Sequence, residues 1–200
     1  MSSFLAHSFE GLSAHALQDH LIATAEGAES RSKRIGLPAL GNLLGLTHDI
    51  GKFSREFQDR VRGGIAPVDH STFGAKLLAE RFQRIGKLLA YAVAGHHAGM
   101  PNGEDGSDAC LMARLRRADI PDAGAWQQDA RVVAHMPPQP PAINISSHPR
   151  AGTTRRGFQL AHVARMGLSC LVDADRIDTE RWALSLTGQT PRVVIDAPRS

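Results

Sequence analysis

The segment LLGLTHDIGKF, residues 43–53, carries an apolar run into His48 and Asp49. An imidazole and a carboxylate on adjacent residues offer a nitrogen and an oxygen to the same small volume, a pairing suited to a divalent metal ion. Ligands of the same kind recur along the chain: His20, His70 in DHST, the doublet His96-His97 in AGHHAG, and Asp175 in SCLVDADRIDTE. Together they suffice for two ions. Two ions held side by side can orient a phosphodiester, activate a water and stabilise the leaving oxygen, so no side-chain nucleophile is required. The pattern implies metal-dependent phosphodiester hydrolysis.

Each of these residues also has an ordinary structural reading. His20, beside an apolar face, has the setting of a satisfied interior histidine, and His70 that of a neighbour to a helix cap. Their joint occurrence favours ligation. His96 and His97 stand between Gly95, Ala98 and Gly99, where bulky imidazoles serve no packing purpose, so they are read as ligands. His7, His15, His135, His148 and His162 lack such a setting and are left out. His7 is the hardest of these to dismiss.

The elements that must position these residues are helical. Ser13 is placed to cap a first helix with Leu17, Leu21, Ala25 and Ala28 on one face and His20 beside it. Pro38 opens a second helix that ends at the His48-Asp49 pair, and Gly51 then loosens the backbone. A third helix starts after Asp69-His70-Ser71-Thr72, capped by Asp69 or Ser71, and a fourth runs from about Arg84 to Ala94. The final helix spans about Arg156 to Leu186. At about 100° per residue its stripe of Leu160, Ala164, Leu168, Leu171 and Trp182 includes Asp175, whereas Asp173 turns away with Glu180 and His162. A carboxylate facing the core needs a cation, either an arginine or a metal ion.

Residues 101–158 break the pattern. PNGEDGSD is a loop, short helices are expected near 108–117 and 123–134, and HMPPQPPAINISSHPRAGTT is rich in proline and small polar residues. This stretch is expected to be a long, exposed, partly mobile insertion within one domain of residues 1–190. Residues 191–200 read as a tail or linker, with Val193, Val194 and Ile195 a short strand or the linker's start. No internal repeat is visible.

Two hundred residues, 42% hydrophobic but only 5% aromatic, can bury a core made chiefly of Leu, Ala, Val and Ile. The fold class is therefore all-α. Cys110 and Cys170 match no disulfide or metal pattern, which points to a reducing cytoplasm. No leader or membrane-length apolar run is present, so no membrane association is expected. With 23 Lys and Arg against 20 Asp and Glu, the net charge is only +3. The basic residues nevertheless cluster, as in Arg31/Lys33/Arg34 and Arg114/Arg116/Arg117. Such clusters suit a polyanion, although scattered arginines are more often solvated helix faces.

The run AHS near the start, DHL around His20, HDIGKF followed by FQ, DHSTFGA, AGHHAG and S-x-L-V-D-A-D-x-I-D-T-E closely resembles the HD nuclease domain of the CRISPR-associated helicase-nuclease of type I interference systems. The resemblance covers nearly the whole chain in order. It implies an HD-domain helical bundle that cleaves single-stranded DNA, with one metal on His20, His48, Asp49 and Asp175. A second would sit on Asp49, His70, His96 and His97, so that Asp49 bridges. It also implies a catalytic Lys52 at the scissile phosphate, where the residue alone would read as a surface lysine. Mixed imidazole and carboxylate ligands suit Mn, Fe, Co or Ni better than Mg, which is also admitted.

In that family the nuclease is usually joined to a superfamily 2 helicase recruited by a crRNA-guided surveillance complex. This chain has no GKT or GKS phosphate loop and no DEAD-like box. It is expected to be a separate nuclease subunit or a piece of a longer protein, with VVIDAPRS suiting a linker. One departure is Arg176, where the family often has tryptophan. Two other readings stay open: an HD-type nucleotide phosphohydrolase and a catalytically silent docking domain. The first needs a closed, base-specific pocket, of which the sparse aromatics give little sign. The second usually loses ligands, and here all seven are present.

Overall fold

The structure, a computed structural model, describes residues 4–9, 14–143 and 153–189. The order is β1 Leu5–His7, β2 His15–Ala16, α1 Leu17–Ser32, α2 Pro38–Thr47, α3 Arg55–Val61, α4 Ser71–Gly95, α5 Leu111–Arg116, α6 Ala130–His135 and α7 Thr153–Leu186. The architecture is the expected all-α bundle with one addition. β1 and β2 pair antiparallel, Leu5 opposite Ala16 and His7 opposite His15. Strands of three and two residues are too short to write a period-two pattern.

That ribbon also moves the start of α1. The helix begins at Leu17 with Ala16 as its cap, because residues 15–16 are committed to β2. Ser13 lies outside the described residues. Leu17, Leu21, Ala25 and Ala28 are buried on one face as their spacing predicts, and His20 is buried with them. α2 starts at Pro38, where the missing N–H has no intrahelical partner to lose, and buries Leu40, Leu43, Leu44 and Leu46. α1 and α2 approach so closely that a Cβ on Gly45 would meet the Ala25 backbone. This contact brings the His20 and His48 rings to 5.1 Å.

α3 escaped the sequence reading; it is one short helix whose cap, Ser54, accepts from the Phe57 amide at 3.3 Å. The expected third and fourth helices form one element, α4, broken at Gln83, where φ is 51° and ψ is −122°. The Asp69 carboxylate caps its start, accepting from the Thr72 amide at 3.1 Å and the Thr72 hydroxyl at 2.6 Å. α7 lies across α1, α2 and α4 and buries Ala164, Leu171 and Ala174.

Residues 101–143 hold the two expected short helices, α5 and α6, between loops, but the segment is not simply exposed. Cys110, Leu111, Ala123, Trp126, Val132 and Met136 are all buried, so isolated apolar anchors tie the segment to the core without any periodic signal. The region of Val193–Ile195 lies outside the described residues. Among the described residues no helix is long and apolar enough to cross a membrane.

The tight α1–α2 seam predicts that Gly45→Ala, whose new methyl falls on the Ala25 backbone, destabilises the fold by about 1–3 kcal/mol. Chemical denaturation measures this. An unchanged midpoint would contradict the close approach.

Candidate metal centre

Helix ends deliver most of the cluster. His48 caps the C-terminus of α2, Asp49 opens the 3₁₀ turn Ile50–Phe53, His70 precedes α4, and His96 and His97 follow it. His20 and Asp175 instead come from within α1 and α7. His48 and His96 use free carbonyls of the last helical turns, and His70 a carbonyl of the loop just before α4. His48 Nδ1 lies 2.7 Å from Gly45 O, His96 Nδ1 2.7 Å from Val93 O, and His70 Nδ1 3.3 Å from Val68 O. A carbonyl only accepts, so each Nδ1 carries a proton and Nε2 is the nitrogen left free to take a metal ion or a second proton.

The Nε2 atoms converge on Asp49, which is 1% exposed. Its Oδ2 lies 3.3 Å from His20 Nε2 and 3.3 Å from His48 Nε2, while Oδ1 lies 3.2 Å from His70 Nε2 and 3.3 Å from His96 Nε2. One carboxylate thus faces two separate histidine pairs. Asp175 Oδ1 completes the first side, 3.4 Å from His20 Nε2 and 3.6 Å from His48 Nε2. His97 joins the second, its Nε2 2.8 Å from that of His70. The ligand atoms of His20, His48, Asp49 and Asp175 lie within 4.8 Å of one another, as do those of Asp49, His70, His96 and His97. The two groupings have the membership that the resemblance implies.

The cluster fits divalent ions on its own chemistry. His20 Nε2, His48 Nε2, His96 Nε2 and Asp49 Oδ1 are buried without a hydrogen-bond partner, and each such atom costs on the order of 1–3 kcal/mol if left unpaired. Three orphaned nitrogens aimed at one carboxylate, itself unpaired at Oδ1, call for a cation. Protons and Lys52 fill that role in the protein alone. Lys52 Nζ lies 2.7 Å from Asp49 Oδ2. Burial opposes charge on His48, but Asp49 and Asp175 outweigh it and push its pKa up to about 10. Burial likewise opposes charge on Asp49, yet Lys52, His48 and His70 hold its carboxyl well below the usual range. His97, by contrast, is lowered to about 4 by burial and by His96.

Residues 6–154 match the family described as Cas3, HD domain. The chain belongs to that family. No curated protein matches it. Asp175 lies beyond residue 154, so the Cas3 HD match and the α7 carboxylate are independent observations that meet at the same cluster.

Within this Cas3 HD domain, several residues stand differently from the sequence reading. Lys52 is not a surface lysine: it is 4% exposed, donates to Ala6 O at 3.2 Å and lies over the Phe57 ring. His7 and His15, which the sequence does not mark as ligands, lie against His20 at ring distances of 5.1 and 5.3 Å. The β ribbon carries them there, and AHS was the only trace of it. Asp178 was also missed, although its place three residues after Asp175 puts it on the same helical face. Asp173 is turned outward as read and pairs with Arg31. That pair, with Arg114 and Arg117 on Asp69 and Arg116 on Glu104, shows how far the basic clusters serve intramolecular contacts.

These shifts give a signed pH dependence for metal-free protein. A raised His48 pKa contributes stability that is fully present below about 6.5 and is lost as pH climbs through about 10. The depressed Asp49 and Asp175 contribute stability that is lost in acid. Melting temperatures of EDTA-treated protein should therefore fall between pH 6.5 and 10, and Mn²⁺ should reduce that fall. A flat or rising profile without metal would contradict the assignment.

Proposed function

We propose that this chain is a two-metal nuclease that hydrolyses single-stranded DNA in CRISPR antiviral defence. The observation that carries the reading is Asp49, buried and unpaired at Oδ1, with its two oxygens facing different sets of histidine Nε2 atoms. His20, His48, Asp49 and Asp175 would hold one ion, and Asp49, His70, His96 and His97 the other. Mn, Fe, Co or Ni suits these ligands, and Mg is admitted. When bound, the ions supply an activated water and neutralise charge on the phosphate and the leaving oxygen.

The chain's own residues do the rest. The Nδ1 bonds of His48 and His96 fix the tautomers that leave Nε2 free for ligation. Lys52 stands at the edge of the cluster and borders an open groove of about 610 Å³ with His7, Arg60, Ile65, His70 and His97. There its ammonium can meet a phosphate oxygen and the charge that develops on it. An open groove with a basic wall suits a phosphate backbone passing the cluster. It gives no enclosure for a base, which argues against a nucleotide phosphohydrolase, and the full ligand set argues against a silent docking domain.

Membership of the family extends the proposal to partners. A superfamily 2 helicase, in cis or in trans, would deliver the strand, and a crRNA-guided surveillance complex would recruit the pair. Two buried, unpaired cysteines accord with action in a reducing cytoplasm.

Cleavage of single-stranded DNA should vanish with EDTA, return with Mn²⁺, show weak sequence preference and fall with added salt. Asp175→Asn should abolish it, while Asp173→Asn, altering an exposed residue, should retain most of it. Full activity after exhaustive metal removal would contradict the proposal. Rapid dNTP hydrolysis with no cleavage of DNA would transfer it to the nucleotide enzyme.

A further inference from the structure

Four histidines present a buried or half-buried Nε2 to Asp49, and a histidine ligand keeps its orientation through a partner on its other nitrogen. His48, His70 and His96 find that partner in a backbone carbonyl at or beside a helix end. His20 has no such option. It sits in the first turns of α1, where the preceding carbonyls accept the helix's own amides. Its partner must be a side chain from another element.

The structure supplies one. His20 Nδ1 lies 2.7 Å from Asp178 Oδ2, a contact that spans 158 positions. Asp178 is 16% exposed, on the face of α7 that also carries Asp175, and its Oδ2 lies 3.7 Å from His15 Nε2. Trp182, one turn further along α7, stacks on His15 with centroids 5.2 Å apart and an interplanar angle of 9°. α7 therefore places Asp175 on one nitrogen of His20 and Asp178 on the other.

We propose that Asp178 is a positioning residue: its carboxylate accepts the Nδ1 proton of His20, fixes the tautomer with Nε2 unprotonated, and holds the ring toward Asp49 and Asp175. The inference rests on the metal reading above and adds an outer member to the first site. His7, His15 and His20 also lie within ligand reach of one another. Because Asp178 already occupies His20 Nδ1, and because His7 Nδ1 faces His15 Nδ1 at 3.4 Å, that trio forms a supporting layer behind the first site.

Two readouts test this without relying on activity. In ¹⁵N NMR of metal-free protein, wild-type His20 should carry a proton on Nδ1 whatever the state of Nε2, and Asp178→Ala should lose that Nδ1 preference. In calorimetric titration with Mn²⁺, wild type should take up two ions. Asp178→Ala should weaken one of them by about 10–100-fold and leave the other unchanged. Asp178→Asn, whose amide oxygen still accepts the proton, should fall between and serves if the alanine variant does not fold. Two wild-type events with both affinities unchanged in Asp178→Ala, or a wild-type His20 with a bare Nδ1, would overturn the role of Asp178 alone. Absence of any Mn²⁺ binding by wild type would overturn the metal reading and this inference with it.

Discussion

The structure turns on one buried carboxylate. Asp49 is nearly inaccessible, yet five cationic or ligating nitrogens approach its two oxygens: His20, His48 and Lys52 on Oδ2, and His70 and His96 on Oδ1. Burying such a charge is costly unless it is matched at close range. Every element around it is arranged to supply the match. α1 and α2 press together until glycine is required at the seam, α4 begins and ends at the cluster, and α7 crosses to add Asp175.

That arrangement explains why most of these histidines stand at helix termini. A histidine there can give its Nδ1 proton to a carbonyl that has no intrahelical partner, which sets the tautomer at no further cost. His20, inside a helix, needs Asp178 for the same purpose. The positions of His48, His70 and His96 on one hand and of His20 on the other are two solutions to one orientation problem. The same logic separates Lys52 from an ordinary surface lysine. The 3₁₀ turn after Asp49 folds its ammonium back onto the carboxylate three residues earlier.

Much of this was legible in the sequence because it was periodic or local. The faces of α1, α2 and α7 follow from apolar spacing, and the inward turn of Asp175 against the outward turn of Asp173 follows from about 100° per residue. His48-Asp49 and His96-His97 announced themselves by type and by their small neighbours. The β ribbon was not legible, because its strands are too short to alternate, and with it went the approach of His7 and His15 to His20. Nor was the packing of residues 101–143, whose buried anchors, Trp126 and Val132 among them, follow no period. Asp178 stood on a face already recognised, but a contact with His20 across 158 positions belongs to tertiary structure and leaves no local mark.

The most direct test of the account is a count of ions in Asp49→Ala. After reconstitution with Mn²⁺ and removal of loosely held metal, elemental analysis should find two ions per chain in wild type. A folded Asp49→Ala protein should retain neither at that stringency, because the one carboxylate faces both sites. Two ions retained by Asp49→Ala, or a wild type that never holds more than one, would contradict the bridging role on which the mechanism rests.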